Sequence, residues 1–121
     1  MIYGIGVDTT TISRIEKSIK NELFIPKFFG QKEIEFFNTK KNNTQSIAAN
    51  FSAKEAFGKA LKTGLAGFVW KDVMILRDEK KAPYFHFEGD ILKFVKDNNL
   101  LVHVSLTHEN DFATAFVVIE K

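Results

Sequence analysis

The stretch LVHVSLTHENDFATAFVVIE, residues 101–120, decides the fold. Residues 101–108 and 112–120 each alternate or run apolar, and only Glu109, Asn110 and Asp111 part them. Two such runs joined by so few polar residues read as an antiparallel hairpin. Upstream, WKDVMILR (70–77) and YFHFE (84–88) flank the charged turn DEKKAP and predict two more strands. Between these and the hairpin, DILKFVKDN (90–98) predicts a short helix opened by Asp90. At the other end, IYGIGVD (2–8) predicts a buried strand that stops on Asp8, with glycines that let a backbone or ligand come close.

Helices fill the interval. TISRIEKSIK (11–20) has Ile12, Ile15 and Ile19 at helical spacing, with Thr11 or a Ser13–Glu16 box as its N-cap. FIPKFFG (24–30) reads as a connector and QKEIEFFN (31–38) as a short helix. TKKNNT is a polar break whose Thr44 can cap the next helix. That helix, the longest, is expected over QSIAANFSAKEAFGKALK (45–62), where Ala53, Ala56, Phe57, Ala60 and Leu61 form one apolar stripe and Gly64 stops it. The expected class is α+β: a mostly antiparallel sheet with one long and several short helices.

A chain of 121 residues fits a single domain spanning 1–121. Its 45% hydrophobic content and thirteen phenylalanines supply one sizeable core. The net charge of +2 does not call for nucleic acid, and no apolar run is long enough to span a membrane. With no cysteine there is no thiolate metal site and no cysteine nucleophile, and the usage fits a reducing cytoplasm.

Four groups carry candidate chemistry. Asp8 at the end of an apolar strand is by itself most simply a turn residue, since no phosphate-loop pattern surrounds it. On the long helix Ile47, Phe51, Glu55 and Lys59 succeed one another at four-residue steps. The plain outcome there is an exposed Glu55–Lys59 pair. The alternative is a carboxylate and an ammonium, one turn apart, that serve a metal ion and its phosphates. Mg²⁺ takes only one or two protein carboxylates, so Asp8 with Glu55 would suffice, and Lys59 would lie on phosphate. In HVSLTH (103–108), His103, Ser105 and Thr107 share one strand face, and His108 sits at the hairpin mouth, able to reach substrate. Ser105 lacks a nucleophile-elbow setting, and the three histidines lack zinc spacing. Finally, Arg14, Lys17, Lys20, Lys27 and Lys32 outnumber the nearby acids, a solubility face or a dock for an acidic partner.

Together, GIGVD with Arg14, FSAKEAFGKAL, TG followed by GFVWKDV, and HVSLTHENDFATAFVVIE resemble the holo-acyl-carrier-protein synthases over essentially the whole chain. These are small bacterial-type 4'-phosphopantetheinyl transferases. The resemblance implies that fold, and Mg²⁺-dependent transfer of 4'-phosphopantetheine from coenzyme A to a serine of acyl carrier protein, releasing adenosine 3',5'-bisphosphate. It implies that Asp8 and Glu55 bind metal and that Glu55 and Lys59 are catalytic. Lys59, Ser105 and His108 would contact coenzyme A, and Arg14 with Lys17 would face the carrier protein. It also implies a homotrimer with sites between subunits. Glu55, directly or through a bound water, is the expected base for the serine hydroxyl. The sequence departs from the family at Asn50, where relatives carry an arginine, so a cation is expected from elsewhere. It departs also at Thr9 and Thr10, which replace a bulkier apolar pair, and at Ala82 before Pro83. The competing expectation is a non-catalytic module that holds an acidic protein on the basic first helix.

Overall fold

A computed structural model describes residues 1–121. Its elements run β1 (Ile2–Thr11), α1 (Ile12–Ser18), α2 (Phe24–Phe28), α3 (Gln31–Asn38) and α4 (Thr44–Ala60), then a 3-10 turn (Trp70–Asp72). β2 (Val73–Arg77), β3 (Pro83–Phe87), α5 (Gly89–Asp97), β4 (Leu101–Glu109) and β5 (Phe112–Glu120) complete the chain. The class is α+β with every strand pair antiparallel, but the strands form two sheets: β1-β5-β4 and a separate β2-β3 hairpin.

The terminal hairpin is tighter than expected. Glu109 pairs with Phe112, so only Asn110 and Asp111 form the turn. Asn110 takes φ 53, a left-handed conformation that asparagine tolerates well. Asp111 then reaches across to α1. Its carboxylate accepts from the Ser13 amide at 3.0 Å and from Ser13 Oγ at 2.6 Å, and its carbonyl accepts from the Ile12 amide at 2.8 Å. The first helix is therefore capped by a residue 98 positions downstream of Ser13 and not by the side chain of Thr11, which makes no capping bond.

β1 continues past Asp8. Thr9, Thr10 and Thr11 pair with Thr114, Ala113 and Phe112, as β-branched residues on a continuing partner strand should. Asp8 is thus an interior strand residue opposite Ala115, not a turn residue. The Phe-rich connector contains a helix, α2. Pro26 lies in its first turn, where the missing amide costs no intrahelical bond. Phe24 and Phe28 of α2 lie on Phe51 at centroid distances of 5.8 and 5.6 Å. α4 begins at Thr44, one residue before its predicted start, with Asn43 at the cap position.

The contact that positions the site is α4 against β1. A Cβ on Gly4 would stand 1.9 Å from the Ala60 carbonyl oxygen, and one on Gly6 would stand 1.9 Å from that of Ala56. Two strand residues advance about 6.6 Å and four helical residues about 6 Å, so the strand and the helix stay in step. The strand lies on the helix backbone itself, and the buried stripe Ala53, Ala56, Phe57, Ala60 and Leu61 meets the sheet. The opposite face of the three-stranded sheet is open: Ile5, Val7, Leu101, Phe112 and Phe116 are exposed there.

Candidate active site

The alternation of β1 turns Asp8 toward α4, on the side of Gly4, Gly6 and Thr10. Along α4 the four-residue row drifts outward: Ile47 is buried, Phe51 and Glu55 are half-buried, and Lys59 is 56% exposed at its side chain. The row emerges beside Asp8. Lys59 Nζ donates to Asp8 Oδ1 at 3.2 Å and to the Val7 carbonyl at 2.9 Å. The expected Glu55–Lys59 ion pair is not formed, because the lysine is drawn to the strand. Burial and the neighbouring Asp8 charge hold the Glu55 carboxyl above its usual range, against the opposing pull of Lys59 and Arg14. Two carboxylates, one ammonium and a surplus of negative charge converge at this edge.

This donor set suits a hard divalent cation. A Mg²⁺ ion needs few protein ligands and keeps positions for waters and phosphate oxygens. The repulsion that raises Glu55 is relieved by a cation between the two acids. Nowhere in the chain, this edge included, do three histidine or acidic side chains gather to hold a metal.

His108 lies in a different place. In the sheet order β1-β5-β4, Asp8 is on one outer strand and His108 on the other. His108 opens on a cleft of about 680 Å³ between the end of α3, the start of α4 and the β2-β3 turn, lined also by Lys40, Arg77 and Lys81. Ser105 is on the opposite face of β4 from His108, in register with Phe116 on the open side of the sheet. One chain therefore does not bring Ser105, His108 and the Asp8–Glu55–Lys59 cluster together.

Arg14 and Lys17 are exposed on α1, and Arg14 is near enough to Glu55 to favour its charged form. Beside them a groove of about 400 Å³ runs between α1 and α2, with Lys17 and Lys27 above Phe24 and Phe28.

A second polar cluster, unforeseen in the sequence, is wholly buried. Lys54 Nζ meets Glu33 Oε1 at 2.7 Å and also donates to the Trp70 and Val73 carbonyls. Glu33 accepts from the Gly30 amide at 3.1 Å, the Ile75 amide at 3.2 Å and Asn50 Nδ2 at 2.9 Å. Asn50 also donates to the Ile75 carbonyl at 2.9 Å and accepts from Arg77 Nη2 at 2.9 Å. Asn50 is thus an interior residue, and the cation beside it is Arg77. The one sequence signal for this cluster was Lys54 itself, a lysine inside an otherwise apolar and small helix face.

The chain is similar to known proteins over nearly its whole length. The 4'-phosphopantetheinyl transferase superfamily matches residues 4–117. A holo-[acyl-carrier-protein] synthase of Clostridium botulinum is 45% identical, over 99% of this chain and 98% of its own. The crystal structure of holo-[acyl-carrier-protein] synthase from Neisseria meningitidis superposes with a TM-score of 0.93 at 33% identity, covering 100% of both chains. A holo-(acyl-carrier-protein) synthase from Bacillus anthracis, in complex with CoA (3',5'-ADP), superposes with a TM-score of 0.82 at 30% identity, covering 98% of this chain and 96% of that one. By sequence and by fold, this chain belongs to the 4'-phosphopantetheinyl transferase superfamily.

Proposed function

We propose that this protein, as one transferase domain over residues 1–121, moves 4'-phosphopantetheine from coenzyme A to a serine of apo-acyl carrier protein. The products are holo-acyl carrier protein and adenosine 3',5'-bisphosphate. The observation that carries the proposal is the meeting of Asp8, Glu55 and Lys59 at the β1–α4 edge, in a chain of this family.

The chemistry rests on those groups. The serine oxygen bonds to the phosphorus that bears pantetheine, and the P–O bond to the second phosphate breaks. Glu55, directly or through a bound water, takes the hydroxyl proton. Lys59 sits at the rim, more than half exposed, where its charge falls on the leaving phosphate. Asp8 and Glu55 would hold Mg²⁺, Asp8 remaining a ligand throughout. When bound, the ion offsets the negative charge that builds on the pyrophosphate oxygens.

Assembly is part of the proposal. The cleft with His108 and the carboxylate pair lie at opposite edges of one sheet, about two strand spacings or 10 Å apart. The open sheet face between them is apolar at Ile5, Val7 and Phe116, and the same patch borders Lys59. A homotrimer built on that face would set the acids of one copy against the cleft of the next, with Ser105 at the junction. Arg14 and Lys17 then meet the acidic carrier protein beside Glu55. No helix is long and apolar enough to cross a membrane, and action in the cytoplasm accords with that.

The test is the intact mass of apo-carrier protein after incubation with coenzyme A, Mg²⁺ and this protein. A phosphopantetheine increment that EDTA abolishes is expected. Tight binding of carrier without modification would favour the non-catalytic module, which leaves the convergence of Asp8, Glu55 and Lys59 without a purpose. Light scattering on the same sample checks the trimer, and Phe116→Glu should reduce it to monomer.

A further inference from the structure

The buried polar side chains of this molecule are Thr10, Glu33, Asn50, Ser52 and Lys54. Glu33, Asn50 and Lys54 satisfy one another within the cluster described above. Thr10 and Ser52 stand apart from it, beside Asp8. Thr10 lies two residues beyond Asp8 on the same face of β1, and Ser52 lies one turn before Glu55 on α4. They continue the seam on which Gly6 faces Ala56.

Their hydroxyls link three elements. Ser52 Oγ donates to the Ala113 carbonyl of β5 at 3.2 Å. Thr10 Oγ1 meets Ser52 Oγ and reaches Asp8 Oδ2 at 3.4 Å. The other oxygen of that carboxylate accepts from Lys59 Nζ.

The proton count decides what the pair can do. Two hydroxyls bring one proton each, and the three contacts call for three. With Ser52 turned to Ala113, Thr10 donates to Ser52 and Asp8 Oδ2 receives nothing. With Ser52 turned to Thr10, the Thr10 proton is released to Asp8. A charged carboxylate is a stronger acceptor than a carbonyl, so ionised Asp8 favours the second setting. At 3.4 Å the link is loose, and it supplies a preferred setting of the carboxylate, not a rigid bond. Hydrogen bonds of this kind, made behind a metal ligand, orient the ligand and tune affinity.

We propose that Thr10, with Ser52 behind it, is a positioning residue that holds Asp8 in the setting in which it receives a divalent cation. The pair thereby sets the affinity of the site for Mg²⁺. The assignment rests on the reading of Asp8 as a metal ligand under the transferase activity above. It gives Thr10, a position at which the chain departs from the family resemblance, a task that an apolar side chain could not perform.

The experiment titrates Mg²⁺ into the whole chain with coenzyme A present and no carrier protein, so that nothing turns over, and reads the heat. Urea unfolding of the same samples shows that each variant is folded before it is titrated. Thr10→Val keeps the shape, removes the proton and leaves Ser52 bonded to Ala113. It should weaken the Mg²⁺ Kd about tenfold, the lower end of the cost of losing a group that orients a metal ligand. Thr10→Ala removes the same proton and should weaken binding alike, which keeps the test open if Thr10→Val does not fold. Thr10→Ser keeps the hydroxyl and should restore most of the affinity. Ser52→Ala removes the rival acceptor, leaves the Thr10 proton to Asp8, and should bind Mg²⁺ at least as tightly as wild type. A pair that merely packs the seam would weaken binding at both positions. Equal affinity in Thr10→Val and wild type overturns the assignment and leaves the transferase reading standing, as does a Ser52→Ala variant as weak as Thr10→Val. A wild type that takes up no Mg²⁺ defeats the metal reading, and this assignment with it.

Discussion

Lys54 and Glu55 are neighbours in sequence and opposites in circumstance. Lys54 points into the protein, fully buried, with its three protons given to Glu33 and two carbonyls. Glu55 points to the rim, near a second carboxylate, with no hydrogen-bonded partner of its own. The 100° between successive residues of a helix places one at the seam of α3, α4 and β2 and the other at the edge of β1. A buried polar group is stable when every partner is supplied from within. A site must leave something unsupplied for the substrate to complete. That contrast is why the proposed chemistry is assigned to the Glu55 side and not to Lys54.

The largest effect should come from the incomplete cluster. Glu55→Gln should cut transfer by about 10²–10⁴-fold with the fold intact, the usual worth of a positioned proton acceptor. Turnover near that of wild type would remove Glu55 from the mechanism. Its stability should move the other way. The folded-state pKa of Glu55 is raised by burial and by Asp8, so the fold favours the protonated form and loses stability as pH rises through that value. Glutamine escapes this cost. In EDTA near neutral pH the variant should melt no lower than wild type, and added Mg²⁺ should stabilise wild type alone.

The complete cluster should respond in stability. Lys54→Met strands Glu33 as a buried, unpaired carboxylate and should cost about 3–5 kcal/mol, read from urea unfolding. Replacing Glu33 by glutamine in the same chain should recover part of that loss, because the uncompensated charge is gone. If the single variant unfolds like wild type, the cluster is not the brace it resembles.

The incomplete cluster depends on how β1 seats against α4. Gly6→Ala would put a methyl 1.9 Å from the Ala56 carbonyl oxygen, so β1 must shift off α4. A loss of about 1–3 kcal/mol is expected from such overpacking. Asp8 sits two residues along, and a displacement near 1 Å at the carboxylate proposed to bind metal should lower transfer about 10²-fold. Calorimetry and the mass assay on one preparation test both. A variant that loses stability and keeps full rate would show that the β1–α4 spacing does not set the site.

Much of this was legible in the sequence, for reasons that differ by residue. The alanine stripe of α4 and the alternation of β4 and β5 are periodic, and periodicity survives without knowledge of partners. The close approach of β1 was written in Gly4 and Gly6. Asp8 was misplaced to a strand end because its continuation, Thr9–Thr11, pairs only with a strand more than 100 residues away. A separation of 98 residues likewise hides Asp111 as the cap of α1, and Glu33, 21 residues before Lys54, lies on a different helix whose packing the sequence pattern does not reveal. α2 was missed because five residues around a proline carry too little pattern to separate helix from connector. At Asn50 the sequence shows only a missing arginine, whereas burial makes the residue a bridge between the network and Arg77.

The smallest effect tests whether the basic helix belongs to the incomplete cluster or merely stands near it. Arg14 is exposed, so its removal should spare the fold, yet its charge favours the ionised form of Glu55. Arg14→Gln should therefore act twice. Without that charge Glu55 keeps its proton to a higher pH, so the acid limb of kcat/KM moves up. The carrier protein also loses a complementary contact, and kcat/KM for carrier should fall about threefold to tenfold at low salt, the fall shrinking as salt screens the surface. A rate loss that ignores salt and leaves the acid limb in place would separate Arg14 from both roles. A loss that carries both signatures makes α1 the link through which a docked carrier protein reaches Glu55, the proposed base.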